Sequence, residues 1–220
     1  MSELQHAGRG RRGRRWLAPF GDCIALSIGW ALAERASPEP RLSLAAGVAI
    51  CRALTRAGAR AVGLKWPNDI WLGDRKLGGI LLEARGEGSA AARAVIGVGL
   101  NVSLSDAVRR EFEQIGLRAA SLADACAQPV SRNRLAAALL DELLSMLHVF
   151  EREGFEPFRA EWIALDALRD LPVRVLAGDS VLEGTARGVD EAGRLLIESA
   201  GRIHRVMSGE VSVRLTEGVC

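Results

Sequence analysis

Ile70-Trp71-Leu72-Gly73-Asp74-Arg75-Lys76-Leu77-Gly78-Gly79-Ile80-Leu81-Leu82-Glu83 reads as a β-hairpin, and the fold class is read outward from it. Two apolar runs, 70–72 and 76–83, flank the turn signal Gly73-Asp74. Strands are predicted on both sides. Ala61–Lys65 leads into Trp66-Pro67-Asn68-Asp69, and Ala94–Val102 returns after a polar turn at Arg85–Ser89. Further upstream, Cys23–Leu32 is apolar almost throughout, as in a strand buried on both faces. Two prolines between Ala36 and Arg41 break the chain. Ser43 is then placed to cap a helix that runs to about Ala57 and ends at Gly58. Its apolar stripe is Leu44, Gly47, Val48, Cys51 and Leu54.

After this strand-rich block, helices dominate. The patterns predict short helices over Asp106–Ile115 and Leu122–Ala127, then a longer one capped by Ser131 and reaching about Glu153. Leu135, Leu139, Leu143, Met146 and Phe150 form its core stripe, and His148 lies off that stripe as a surface residue. Another helix covers Glu156–Leu165. Around Leu171 the period changes to two: Val173 and Val175 alternate with Arg174, and Val211, Val213 and Leu215 with Ser212 and Arg214. Turn signals at Gly178-Asp179, Asp190–Gly193 and Ala200-Gly201 divide this region into five short strands, the pattern of a small barrel. The expected architecture is α+β: a mixed β-sheet with helices packed on it over 1–169, and a small β-barrel over 170–220.

The composition is that of a soluble globular protein, with 49% hydrophobic and 25% charged residues in 220. The net charge of +2 is unevenly placed. Residues 1–16 carry five arginines against Glu3, so the remainder is mildly acidic, which argues against a nucleic-acid-binding protein. Arg14-Arg15 before the apolar run 23–33 imitates a signal peptide, but Asp22 and the glycine-rich loop do not fit one. No run reaches the roughly 18 apolar residues of a membrane span. The four cysteines, Cys23, Cys51, Cys126 and Cys220, and the three histidines are scattered without metal or redox spacing, as expected of reduced thiols in a cytoplasmic protein.

Four stretches carry chemistry. Gly8-Arg9-Gly10-Arg11-Arg12-Gly13-Arg14-Arg15-Trp16 joins backbone that can approach a ligand closely to guanidinium forks that match phosphate or carboxylate. A solvated basic arm fits the same letters. Of 29 Lys and Arg residues only Lys65 and Lys76 are lysine, a compact point charge in a chain that otherwise uses arginine. In Lys65-Trp66-Pro67-Asn68-Asp69, proline stiffens a turn that can aim Asn68 and Asp69 into a cleft, with Asp69 also able to help place a metal ion on a phosphate. The alternative is an Asx-type turn that only satisfies nearby backbone. Lys76 precedes Gly78-Gly79 within a strand, where glycine is unfavourable unless something must come close, although an edge-guarding lysine would read the same. Gly97 and Gly99 share one strand face, leaving room for a flat ring or another backbone. The set is suited to hold an anion beside a flat ring, as in an acyl-adenylate or the ATP and carboxylate that form it. No arrangement for nucleophilic catalysis is evident.

In order and spacing, Gly8–Arg14, Lys65–Asp69, Arg75–Ile80 and Gly97–Val102 resemble the successive motifs of the biotin–protein ligases, and the resemblance covers essentially the whole chain. It implies a class II synthetase/biotin ligase-like sheet and an SH3-like C-terminal barrel. It implies an enzyme that activates biotin with MgATP to biotinyl-5′-AMP and then acylates one lysine of the biotin carboxyl carrier protein of acetyl-CoA carboxylase. Mg2+ would arrive with ATP, not on a cluster of protein ligands. By this resemblance Gln5, Arg9, Gly10, Arg11 and Lys76 contact biotin and the adenylate, with Lys76 and Arg11 catalytic. Lys65 and Asn68 lie near the phosphates, Asp69 orients the amine or the metal, Trp16 packs on the adenine region, and Asn101 lies near the ribose or backbone. A lipoate-type ligase shares the fold, and the arginine loop favours biotin. Cytoplasmic location and a homodimer are compatible with the family. Specific DNA binding is not expected, because no helix-turn-helix stands before the loop. The family's catalytic domain starts further upstream, with a strand, a helix and a Ser-Thr-Asn stretch that holds the biotin ring. The expectation is therefore an N-terminally incomplete pocket and a free sheet edge. The alternative function is an impaired homologue that only binds nucleotide or carrier.

Overall fold

The computed structural model describes residues 1–2, 4–31, 40–85, 93–114, 116–177, 180–207 and 211–215. The polar turn expected at 85–89 falls, beyond Arg85, outside the described residues, as do Gly178-Asp179, Cys220 and most of the proline-containing break at 36–41.

Strands β1 (Cys23–Ala31), β2 (Val62–Lys65), β3 (Asp69–Leu72), β4 (Arg75–Arg85) and β5 (Arg93–Asn101) form one sheet in the order β1-β5-β4-β3-β2. All four strand pairs are antiparallel. Among the described residues, the parallel pairing at this sheet is confined to isolated bridges, Leu64 with Asp166 and Lys76 with Ala119. The hairpin that decides the class is β3–β4, turned at Gly73, where φ is +58°. On the outer edge of β1 the pairing among the described residues is a single bridge, with the Ser2 N–H donating to the Ala25 carbonyl at 2.9 Å.

Helix α1 (Pro40–Arg56) covers one face of this sheet, and nearly all of it from Leu42 to Leu54 is buried. It starts before Ser43, which corrects the expected cap. Pro40 supplies the pre-set φ of a first helical residue, and the Ser43 hydroxyl instead donates to the Pro67 carbonyl at 3.4 Å. Gly47 lets the helix lie close to the sheet, because a β-carbon there would stand 3.0 Å from Leu64 Cδ2. Helices α2 (Asp106–Gln114) and α3 (Leu122–Ala125) follow β5, and α4 (Arg132–Glu153) and α5 (Glu156–Leu165) complete the helical layer. Ser131 caps α4 as read, and Leu135, Leu139, Leu143 and Met146 are buried, whereas Phe150 is half-buried. His148 is exposed but stacks edge-on against Trp30 at 5.1 Å. No helix among the described residues is long and apolar enough to cross a membrane.

The C-terminal strands β6 (Pro172–Ala177), β7 (Ser180–Val189), β8 (Leu195–Ser199), β9 (Arg202–Val206) and β10 (Val211–Leu215) form a second antiparallel sheet in the order β10-β6-β7-β8-β9. The five strands are those expected, but among the described residues no pair joins β9 to β10 to close a barrel. The inward residues of this sheet, Val173, Val175, Ala186, Leu195 and Ile197, belong to the same buried cluster as α1 and the first sheet.

Candidate functional site

The chemistry-bearing stretches meet on one row of the first sheet. Its pairing runs Lys65–Asp69–Gly79–Gly99–Ala25 and so crosses five strands. Directly opposed residues present their side chains on the same face. Leu64 and Ile80, one residue off the row, point the other way, into α1. The row is therefore a floor of Ala25, Gly99 and Gly79 with carboxylate and ammonium side chains at one end.

Trp16 lies on that floor. A β-carbon at Gly99 would stand 2.6 Å from Trp16 Cε2 and Cζ2, so only glycine admits the ring. The space expected above Gly97 and Gly99 is thus filled at Gly99 by the chain's own indole. The Trp16 Nε1 atom is buried with no hydrogen-bond partner. At Gly79 a β-carbon would lie 3.5 Å from Lys76 Cε and Nζ and 3.6 Å from Asp69 Oδ1, placing this ion pair over the floor. Lys76 Nζ donates to Asp69 Oδ1 at 2.6 Å.

The arginine–glycine stretch, read as loop, is an irregular hairpin. Bridges pair Gln5 with Ala18 and Arg9 with Arg15. Trp16 N–H donates to the Gly8 carbonyl at 2.8 Å, Gly10 N–H donates to Arg14 at 2.7 Å, and a 3₁₀ turn over Arg11–Gly13 forms the tip. Gly8 is obligatory here, since a β-carbon would meet the Trp16 carbonyl at 2.5 Å. Arg11 reaches back to the sheet, with its Nη1 donating to Asn68 Oδ1 at 3.1 Å. Asn68 also gives its Nδ2 to the Ile80 carbonyl at 2.7 Å, and its own carbonyl accepts the Ile80 N–H at 2.9 Å. Asn68 therefore closes nearby backbone with its amide nitrogen and carbonyl and holds the hairpin through its Oδ1.

The structure thus gathers Arg11, Trp16, Asn68, Asp69 and Lys76. Lys65 lies on the same row, but its Nζ sits over the Trp71 ring, 4.3 Å from the centroid. Arg9 pairs at the surface with Glu83 at 3.7 Å. Gln5 is exposed, and its Oε1 would stand 3.0 Å from a β-carbon on Gly8. Asn101 is buried, and its Nδ2 donates to the Ala120 carbonyl at 3.0 Å. That last bond exposes a bracket that no local pattern signals. Ala120 N–H donates to the Lys76 carbonyl, and Lys76 N–H to the Arg118 carbonyl, both at 2.8 Å. Asp124, which also accepts the Ser121 N–H, ties Arg109 and Arg75 to the same corner. Burial alone would raise the Asp124 carboxyl, but the Ser121 N–H and the two arginines outweigh it and hold the pKa below the usual range. No cluster of three or more His, Cys, Asp or Glu residues that could hold a metal ion occurs among the described residues.

An arginine hairpin, a lysine–carboxylate pair and a glycine floor are gathered on one antiparallel sheet, the arrangement of a candidate site for an anionic substrate. Comparison with known proteins makes the class specific. Residues 2–101 match the biotin/lipoate A/B protein ligase family, and residues 172–214 match the biotin protein ligase C-terminal domain. The bifunctional ligase/repressor BirA of Escherichia coli is 41% identical over 99% of this chain, and the chain spans 66% of that relative's length. The biotin–[acetyl-CoA-carboxylase] ligase of Mycobacterium tuberculosis is 36% identical, with 96% of this chain and 77% of the relative covered. The biotin protein ligase of Aquifex aeolicus, solved with biotin and ATP, superposes with a TM-score of 0.80 at 25% identity, covering 97% of this chain and 87% of that one. The chain belongs to the biotin protein ligase family.

Proposed function

We propose that this chain is an ATP-dependent biotin–protein ligase that modifies the biotin carboxyl carrier protein of acetyl-CoA carboxylase. The observation that carries the reading is the row Lys65–Asp69–Gly79–Gly99, with Lys76 and Arg11 above it and relatives of this activity aligned along the chain. In the first step a biotin carboxylate oxygen attacks the α-phosphorus of ATP, the bond to the bridging oxygen breaks, and pyrophosphate leaves. In the second, the carrier lysine amine attacks the activated carbonyl, AMP departs, and the amine loses its proton.

Lys76 neutralises the carboxylate and the charge that builds as it meets the phosphate. Releasing Asp69 from Lys76 as the substrates enter frees a carboxylate to orient the incoming amine or the ion on ATP. Mg2+ enters as MgATP. Arg11, hydrogen-bonded to Asn68, closes the hairpin over the mixed anhydride and keeps water out. Gln5, Arg9 and Gly10 complete that cover, and Lys65 and Asn68 lie toward the phosphates. Trp16, seated on Gly99, packs on the adenine region. Asn101 acts through backbone, by way of Ala120. We place the reaction in the cytoplasm, assign residues 1–169 to the catalytic unit and read 170–220 as the family's SH3-like barrel.

Biotin-dependent exchange of pyrophosphate into ATP tests the reading. The 220-residue chain is expected to catalyse it, and Lys76→Ala to reduce it about 10²- to 10³-fold. Arg11→Gly is expected to release biotinyl-5′-AMP, seen as biotin on bystander proteins as well as on the carrier. Heat of nucleotide binding without any exchange would reduce the chain to a binding module and overturn the enzyme reading.

A further inference from the structure

We infer that the β7–β8 turn, Asp190–Arg194, is a positioning device for the catalytic turn Lys65–Asp69, through a hydrogen bond from Trp66 to Gly193. Trp66 sits at the centre of the motif, yet it is 1% exposed. Its Nε1 donates to the Gly193 carbonyl at 3.1 Å, a buried bond between residues 127 apart in sequence. A buried indole N–H left without an acceptor is costly, so the geometry of residue 193 is imposed on residue 66.

The turn that offers this carbonyl is itself strongly specified. Asp190 Oδ1 accepts the N–H groups of Ala192 and Arg194 at 3.0 and 2.9 Å, and Oδ2 accepts Arg194 Nε at 2.7 Å. Gly193 has φ +71°, and a β-carbon there would stand 3.0 Å from Arg41 Cγ and Leu44 Cδ1. It is therefore wedged against the start of α1, the helix whose Ser43 holds the Pro67 carbonyl. On the other side of the motif, Ala167 N–H donates to the Leu64 carbonyl at 2.8 Å. The Leu64 carbonyl, the Trp66 side chain and the Pro67 carbonyl are thus held from the connecting segment, the C-terminal sheet and α1, none of which supplies a side chain to the row of Lys65, Asp69, Gly79 and Gly99. Trp66, Asp190 and Gly193 are positioning residues, and this role rests on the ligase reading.

The test combines one structural and one kinetic readout. Asp190→Ala removes the turn's anchors without touching the motif, and Asp190→Asn keeps the Oδ1 acceptor. In the wild-type protein the Trp66 indole N–H should appear in NMR spectra as a proton protected from exchange. Asp190→Ala is expected to shift that proton and the amides of Asn68 and Asp69, and Asp190→Asn to restore them. Unmoved Asn68 and Asp69 amides in folded Asp190→Ala overturn the inference whatever the protein catalyses. In exchange assays Asp190→Ala and Trp66→Phe should each lower kcat about tenfold and raise KM for ATP while leaving KM for biotin unchanged. The double variant should be no worse than either alone. A lower thermal midpoint with unaltered kinetics, or multiplying losses, would instead show mere packing. Should Asp190→Ala not fold, Arg194→Gln, which removes only the side-chain bond to Asp190, is read by the same criteria. A wild-type protein that shows no exchange would sink the ligase reading and leave the NMR outcome to decide the positioning role.

Discussion

Asp166 shows how one residue can work against the fold that contains it. It caps the C-terminus of α5, its Oδ1 accepts the Leu168 N–H at 3.0 Å, and its Oδ2 is buried with no hydrogen-bond partner. Burial pushes its carboxyl up to about 6, against the opposing pull of the Leu168 N–H and Arg169. A pKa raised above the unfolded value gives stability that is present in acid and lost as pH rises through about 6. The displacement corresponds to roughly 3 kcal/mol at neutral pH. Asp166→Asn keeps the Oδ1 acceptor and removes the charge. It should raise the thermal midpoint at pH 8 and have little effect near pH 4, as melts across that range would show; an equal gain at both values would refute the titration argument. Cys51, also pushed up by burial and by nearby Glu161, to about 12, is an inert core thiol at any physiological pH.

At the level of elements, the hairpin over 5–18 and the sheet floor are fitted to each other by glycine. The glycines at 78, 79 and 99 are read in the sequence as close approach, but what approaches differs in each case. Gly78 accommodates sheet backbone, since its β-carbon would lie 2.5 Å from the Gly99 carbonyl; Gly99 accommodates Trp16; at Gly79 a β-carbon would meet the Lys76–Asp69 pair only at ordinary contact distance, 3.5–3.6 Å. Gly99→Ala should therefore displace the indole. Tryptophan emission is expected to shift to the red, and the shift to vanish in a Trp16→Phe background, with overpacking costing about 1–3 kcal/mol of stability. An unshifted spectrum would mean that the ring does not rest on the floor in solution. The motif strands and their order are legible because period-two apolar runs and Gly-Asp turns are local signals. The start of α1 is not, because Ser43 offers a cap by its letters while Pro40 and the packing of Leu42 carry the helix past it.

For the whole molecule, the buried cluster is continuous from β1 to β8, and Trp66, Trp162 and Phe155 are among its largest fully buried side chains. Val173, Val175, Ala186 and Leu195 of the second sheet share it with α1. A change of periodicity near residue 170 suggests two units, but a shared core couples their unfolding. Scanning calorimetry is expected to show one transition with equal calorimetric and van't Hoff enthalpies. A chain ended at Arg169 should lose that cooperativity; two resolved transitions in the intact chain would show the sheets to be independent.

The sequence by itself determined most of the strands and helices and the family, because these rest on local periodicity, turn chemistry and motif spacing. Only the tertiary structure decided the rest. It set Lys65, Asp69, Gly79 and Gly99 on one row, seated Trp16 on Gly99, linked Arg11 to Asn68, and gave Trp66 its partner 127 residues away. It also left the second sheet open between β9 and β10 among the described residues. Register, ring stacking and a buried donor's acceptor depend on which distant surfaces meet, and that is settled by packing of the common core, for which no local pattern of residues is a substitute.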